Sequence, residues 1–153
     1  MDITATKIVT FDAAHMLSQH EGLCNNLHGH TYKLEITICY FSEEGEYNLI
    51  EFGSSEGMVV DFKDLKNIVQ KEILDKYDHA FICWTRGDKL ELDLGKLLID
   101  NNKRVVYMSS RPTAENMAIE FFRLIHFKLP QNYMVSAVKV WETPTSYAEV
   151  RGL

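Results

Sequence analysis

The sequence predicts an α+β domain whose helices lie on one face of an antiparallel sheet. Three observations carry that expectation. Two N-terminal segments alternate apolar and polar residues with a period of two. Two central segments repeat apolar residues at helical spacing, and two alternating segments close the chain. Strands and helices therefore come in blocks, ββααββ, and block order favours α+β over a doubly wound α/β sheet.

The first strand spans roughly Lys7–His15, with Val9, Phe11, Ala13 and His15 on one face. The second spans roughly His28–Phe41. His28, His30, Tyr32, Leu34, Ile36 and Ile38 share one face, and Lys33, Glu35 and Thr37 the other, the half-buried pattern of an antiparallel sheet. Ser42–Gly57 is rich in Gly, Ser and Glu and reads as a solvated connection, with room for a short strand at Tyr47–Phe52. Asp61 can cap a helix in which Phe62, Leu65, Ile68, Val69 and Ile73 recur through about Lys76, with Asp64 in its first turn. Leu90–Asn101 fits both periods and is read as a short helix. Val105–Met108 reads as a short strand. Thr113, after Pro112, can cap a second clear helix carrying Ala114, Met117, Ala118, Phe121, Phe122 and Ile125, with Pro130 beyond its end. Met134–Trp141 and Tyr147–Arg151 complete the strands.

A length of 153 residues suits a single domain, 1–153, with a real core. No apolar run has the roughly eighteen residues of a membrane span, and no signal-peptide pattern is present, so a cytoplasmic location is expected. The net charge of −6 and the lack of a basic stripe argue against nucleic acid as a partner; a phosphate ligand would need a local cluster of cations. The cysteines, Cys24, Cys39 and Cys83, form no disulfide framework. Cys39 and Cys83 sit in apolar stretches and read as core. Cys24 lies among polar residues, which favours a working thiol.

The chemistry concentrates in Cys24-Asn25-Asn26-Leu27-His28-Gly29-His30 and in His15. His28 and His30 point to one side of an extended strand. If the first two strands form a hairpin with the loop Met16–Leu27, His15 leaves the sheet where they enter it. All three imidazoles then converge at one end of the buried face. Three histidines are the ligand set of a catalytic zinc ion with one open position. A closed zinc site with Cys24 as fourth ligand is the alternative. Glu142 has the parity of Met134, Ser136, Val138 and Val140, so it ends a mostly apolar face. A carboxylate there needs a partner such as a pair of N–H donors, unless it simply reaches water. Asp78 can orient the adjacent His79, or both can end a helix in solvent. His20 reads as a loop residue and His126 as a helix residue.

Phe11–His15, Cys24–His30, Gly57–Phe62, Asp78-His79, Pro112–Asn116 and Trp141-Glu142-Thr143, in this order, resemble the family of 6-pyruvoyl-tetrahydropterin synthase and its bacterial relative, 6-carboxy-tetrahydropterin synthase of the queuosine pathway. The resemblance covers nearly the whole chain. The three residues between Cys24 and His28 are similar to the carboxy-forming branch. It implies a tunnelling fold, in which sheets of several subunits join into a barrel. It also implies active sites at subunit contacts and a homohexamer of two trimers. By the same resemblance His15, His28 and His30 would hold Zn2+, and Cys24 would be the general base. His79, oriented by Asp78, would relay protons, Glu142 would anchor the pterin edge, and Thr113 would contact the pterin. The implied substrate is 7,8-dihydroneopterin triphosphate. Lys33, Lys63, Arg86 and Arg111 are candidate cations for its triphosphate. The chain departs from the family in Ala80–Trp84, which replaces a Leu-Asn ending, and in longer Ser42–Gly57 and Arg86–Asn102 stretches. These bear on side-chain selectivity rather than on the zinc site. A pyruvoyl-forming enzyme and a non-catalytic pterin- or zinc-binding protein are the competing readings.

Overall fold

A computed structural model describes residues 3–42 and 49–152. Strands β1 (Ala5–His15) and β2 (His28–Tyr40) form the expected hairpin, in antiparallel register from Ala5 opposite Ile38 to His15 opposite His28. Strand β5 (Tyr133–Thr143) adds to β2, and β6 (Ser146–Arg151) to β5, both antiparallel. These four strands match the antiparallel expectation.

The sheet is larger and more mixed than ββααββ implies. Ala80–Trp84 forms β3, which pairs parallel with Ala13–His15, and β4 (Val105–Met108) pairs parallel with β3. The order across the six strands is β4-β3-β1-β2-β5-β6. β3 escapes a reading by alternation because Ala80 to Cys83 are all buried, so both of its faces are covered.

Helix α1 (Phe62–Val69) starts at Asp61, whose carboxylate accepts the Lys63 amide at 2.8 Å. It runs through a π-helical stretch, Gln70–Leu74, into a last turn, α2 (Asp75–Tyr77). The ambiguous Leu90–Asn101 segment is helical, as α3 (Lys89–Asp100), and α4 (Ala114–His126) begins at Thr113 as expected. His126 lies in α4 and His20 in the β1–β2 loop.

Helices α1 and α4 cover one face of the sheet. Leu65, Val69, Met117, Phe121 and Ile125 meet Phe11, Tyr32, Leu34, Ile36, Val138 and Val140 there. Helix α3 does not share that face. Its Leu94 and Leu98 pack with Met16, Phe81 and Cys83 on the other side, so the expectation of helices on one face holds only for α1 and α4. Gly95 permits that approach, since a Cβ there would lie 3.0 Å from Cys83 Sγ. A bulge at Thr37/Ile38 in the β2–β5 ladder places Val135 in the core, where the alternation had put Met134 and Ser136. The possible strand at Tyr47–Phe52 lies partly outside the described residues, and its described part, 49–52, is not a strand.

Leu65 is fully buried beneath α1. Leu65→Ala should cost about 3 kcal/mol through lost burial and the cavity left behind. Urea unfolding should show the midpoint falling with an unchanged slope.

Candidate active site

Antiparallel pairing places His15 opposite His28, and Ala13 opposite His30, so the three imidazoles meet at the mouth of the hairpin. One ligand atom from each lies within 4.8 Å of the others. Gly29 allows the strands to close there, because a Cβ on it would stand 3.0 Å from the Ala13 carbonyl oxygen. The ring pairs His15–His30 and His28–His30 are near perpendicular, with centroids 5.3 Å and 5.0 Å apart.

The hydrogen bonds fix the tautomers. His15 Nδ1 lies 2.7 Å from the Pro112 carbonyl, and His28 Nδ1 lies 2.7 Å from the Asn26 carbonyl. A carbonyl only accepts, so both Nδ1 atoms donate, and in neutral rings both Nε2 atoms present lone pairs. Those two Nε2 atoms face each other at 3.1 Å. His30 Nε2 is buried with no hydrogen-bond partner. Lone pairs turned toward one another need a cation between them. Ligand nitrogens on tetrahedral zinc stand roughly 3.3 Å apart, close to the spacing found. The donor set therefore fits a divalent metal, with carbonyls fixing two of its three ligands from behind.

Burial lowers the His15 pKa to about 4; the Pro112 carbonyl opposes this, and the neighbouring imidazoles add to it. Burial also lowers His30, against the pull of Glu142. Glu142 Oε1 stands 3.6 Å from His15 Nε2 and 3.7 Å from His30 Nε2, so β5 delivers its carboxylate to the same mouth within one chain. Tyr32, not singled out from the sequence as a site residue, is fully buried with its hydroxyl 3.4 Å from the His15 ring nitrogens. Burial raises its pKa far above the ordinary value, and the charges of Glu142 and Cys24 push the same way. Cys24 is therefore electrostatically linked to the site. Its residue is exposed, in a 3-10 turn spanning Leu23–Asn25, and its thiol is outside the group of three ligand atoms. That arrangement sets the thiol apart from the three ligand atoms.

Asp78 and His79 stand elsewhere. Asp78 Oδ1 accepts the Asp12 amide at 3.0 Å and lies 2.9 Å from His79 Nδ1. His79 adopts φ 59°, held by donation of its amide to the Asp12 carbonyl at 2.6 Å. Burial pushes the Asp78 carboxyl upward, but the Asp12 amide, His79 and Arg104 outweigh it and hold the pKa below the ordinary value. Asp12 and Thr31 alternate with the triad residues and face the opposite side of the sheet, and His79 sits with Asp12. His79, Lys103 and Arg104 line a cleft of about 640 Å³ together with Asp12, Thr31 and His30.

Thr113 Oγ1 accepts the Asn116 amide as the N-cap of α4. Of the candidate triphosphate cations, Lys33 pairs with Glu35 at 3.1 Å on the face away from the triad. Arg86 and Arg111 lie over the Trp84 ring, and Arg111 donates to the Ser18 carbonyl at 2.7 Å. Lys63 stands in the first turn of α1.

The family model described as 6-pyruvoyl tetrahydropterin synthase matches residues 4–153. The chain belongs to this family. Within the 6-pyruvoyl tetrahydropterin synthase family, the chain is 40% identical to 6-carboxy-5,6,7,8-tetrahydropterin synthase of Haemophilus influenzae, over 94% of its own length and 95% of the relative's. It is 34% identical to the enzyme of the same name from Rickettsia conorii, over 97% and 99%. The structure of Caenorhabditis elegans 6-pyruvoyl tetrahydropterin synthase superposes with a TM-score of 0.64 at 25% identity, covering 99% of this chain and 96% of that one. An uncharacterized protein from Wolinella succinogenes shares the fold, with a TM-score of 0.79 at 23% identity over 99% and 98%. The fold is the family's α+β tunnelling fold.

Metal analysis of zinc-loaded protein should give one ion per chain, and His30→Ala should abolish retention through gel filtration. The depressed His15 pKa also has a sign. Above pH 6.5 both the folded and the unfolded imidazole are neutral; between 6.5 and about 4 only the unfolded chain takes up the proton. Metal-free protein should therefore lose stability across that window, on the order of 3 kcal/mol, and His15→Gln should flatten the loss in denaturant unfolding.

Proposed function

We propose that the chain is a zinc-dependent lyase that converts 7,8-dihydroneopterin triphosphate and one water to 6-carboxy-5,6,7,8-tetrahydropterin, acetaldehyde and triphosphate, a step of queuosine biosynthesis. The observation that carries this reading is the meeting of Glu142 with His15 and His30 in a group of three imidazoles whose ligand atoms fit a cation. The names and identities of the relatives from Haemophilus and Rickettsia support the carboxy-forming branch.

His15, His28 and His30 would hold zinc, which supplies a Lewis acid that polarises side-chain oxygens of the substrate and eases loss of the neighbouring carbon-bound protons. Cys24, as thiolate, takes such a proton as general base. Glu142 accepts N–H bonds from the amino and ring edge of the pterin, and Thr113 stands near that edge. Tyr32 keeps its proton and remains a donor beside His15.

In this reading the substrate held by the triad does not meet Asp78 and His79 of its own chain, which pack with Asp12. The pair from an adjacent subunit acts there, with Asp78 orienting His79 to relay a proton. The assembly that goes with this reading is a homo-oligomer, a hexamer of two trimers, with sites at subunit contacts. The location that goes with this reading is cytoplasmic. Among the described residues no helix is long and apolar enough to cross a membrane.

Zinc-loaded protein incubated with 7,8-dihydroneopterin triphosphate should yield the carboxylated tetrahydropterin and acetaldehyde by mass spectrometry. A pyruvoyl product without acetaldehyde would move the chain to the other branch, and no conversion would favour a binding role. Cys24→Ala should abolish turnover and retain zinc; loss of zinc with the thiol would make Cys24 a ligand.

A further inference from the structure

Two fully buried groups not used by the chemistry above, Glu91 and Ser18, join the half-buried Trp84 and Arg111 in a ring of contacts near the metal ligands. Glu91, in the first turn of α3, is fully buried. Its Oε2 accepts the Ser18 hydroxyl at 2.5 Å, and its Oε1 accepts the Trp84 amide at 2.7 Å. Ser18, also fully buried, lies three residues beyond His15, and its hydroxyl oxygen accepts the Asp88 amide at 3.2 Å. The Ser18 carbonyl accepts Arg111 Nη2 at 2.7 Å, and the Arg111 guanidinium lies over the Trp84 ring, 5.1 Å from its centroid. The Arg111 carbonyl accepts Asn116 Nδ2 at 2.9 Å. The next residue is Pro112, whose carbonyl accepts His15 Nδ1 at 2.7 Å.

Both sides of the His15 contact are thus held by one network. Ser18 fixes the chain leaving His15, Arg111 fixes the chain entering Pro112, and a single guanidinium joins the two. We propose that Arg111, anchored through Ser18 and Glu91, is a positioning residue that holds the Pro112 carbonyl against His15 and so sets the metal affinity of the three-histidine centre. This rests on the reading that His15, His28 and His30 bind a metal. It gives α3, which packs on the far face of the sheet, a part in the site.

Outer partners of metal ligands typically contribute about 10–100-fold to metal affinity. The test is zinc affinity by competition with a chromophoric chelator, with the visible absorption of the cobalt-substituted full-length protein as a second readout. Arg111→Ala and Ser18→Ala, which act one step behind the Pro112 carbonyl, should each weaken zinc binding by up to about 10-fold and alter the cobalt bands. Arg111→Lys, which can still donate to the Ser18 carbonyl, should recover part of the affinity. Leu65→Ala, a core change outside the network, controls for lost stability and should change neither readout. If Arg111→Ala does not fold, Ser18→Ala decides. Wild-type affinity and bands in the network variants, or an equal loss in Leu65→Ala, would overturn the proposal. Failure of the unaltered protein to bind zinc or cobalt would overturn the metal reading itself, and is a separate outcome.

Discussion

The site depends on the register between β1 and β2. Eleven consecutive pairs run from Ala5–Ile38 to His15–His28, and the last of them join the ligands. Side chains in a strand alternate, so a slip of one residue would carry His28 and His30 to the other face while His15 stayed behind. The buried run Tyr32, Leu34, Ile36 and Ile38 prevents that slip, because it would expose four side chains that are now fully covered. The same apolar face that builds the core therefore locates the metal ligands.

That location has an electrostatic cost. Three imidazoles and a carboxylate meet beside a buried tyrosine, in surroundings that disfavour charge on His15 and His30. The carbonyls of Pro112 and Asn26 turn this into a prepared ligand set, since each holds a ring proton on the side away from the centre. Neutral imidazole is the form a metal binds, so desolvation, which opposes protonation, works in favour of coordination.

Much of this was legible in the sequence, and the reasons differ from one element to another. Parity and hairpin pairing were enough to bring His15, His28 and His30 together and to aim Glu142 at the end of an apolar face. Asp61 and Thr113 announced their helices through capping chemistry. β3 was not legible, because Ala80–Trp84 is short and covered on both faces, so it has no period to read. The bulge at Thr37/Ile38 was hidden for a related reason: it changes the phase of β5 without changing residue types. The carbonyls behind the histidines left no sign, since every residue carries one. Asp12 did leave one, as the carboxylate alternating with His15, but only the fold showed that it meets Asp78 and His79 on the opposite side.

The π-helical stretch Gln70–Leu74 lies between the regular turns of α1 and the Asp78-His79 pair. Such a stretch is an α-helix carrying one residue more than its turn needs. Each residue of an α-helix advances the chain by roughly 100° about the axis. The extra residue thus sets the angular phase at which the chain leaves α2 and meets the edge of β1. Removing it would give a better-formed helix and a misdirected dyad, with Asp78 swung away from the Asp12 amide. The irregularity works as a phase adjuster: local helical regularity is given up so that two residues at the helix end arrive facing the required way.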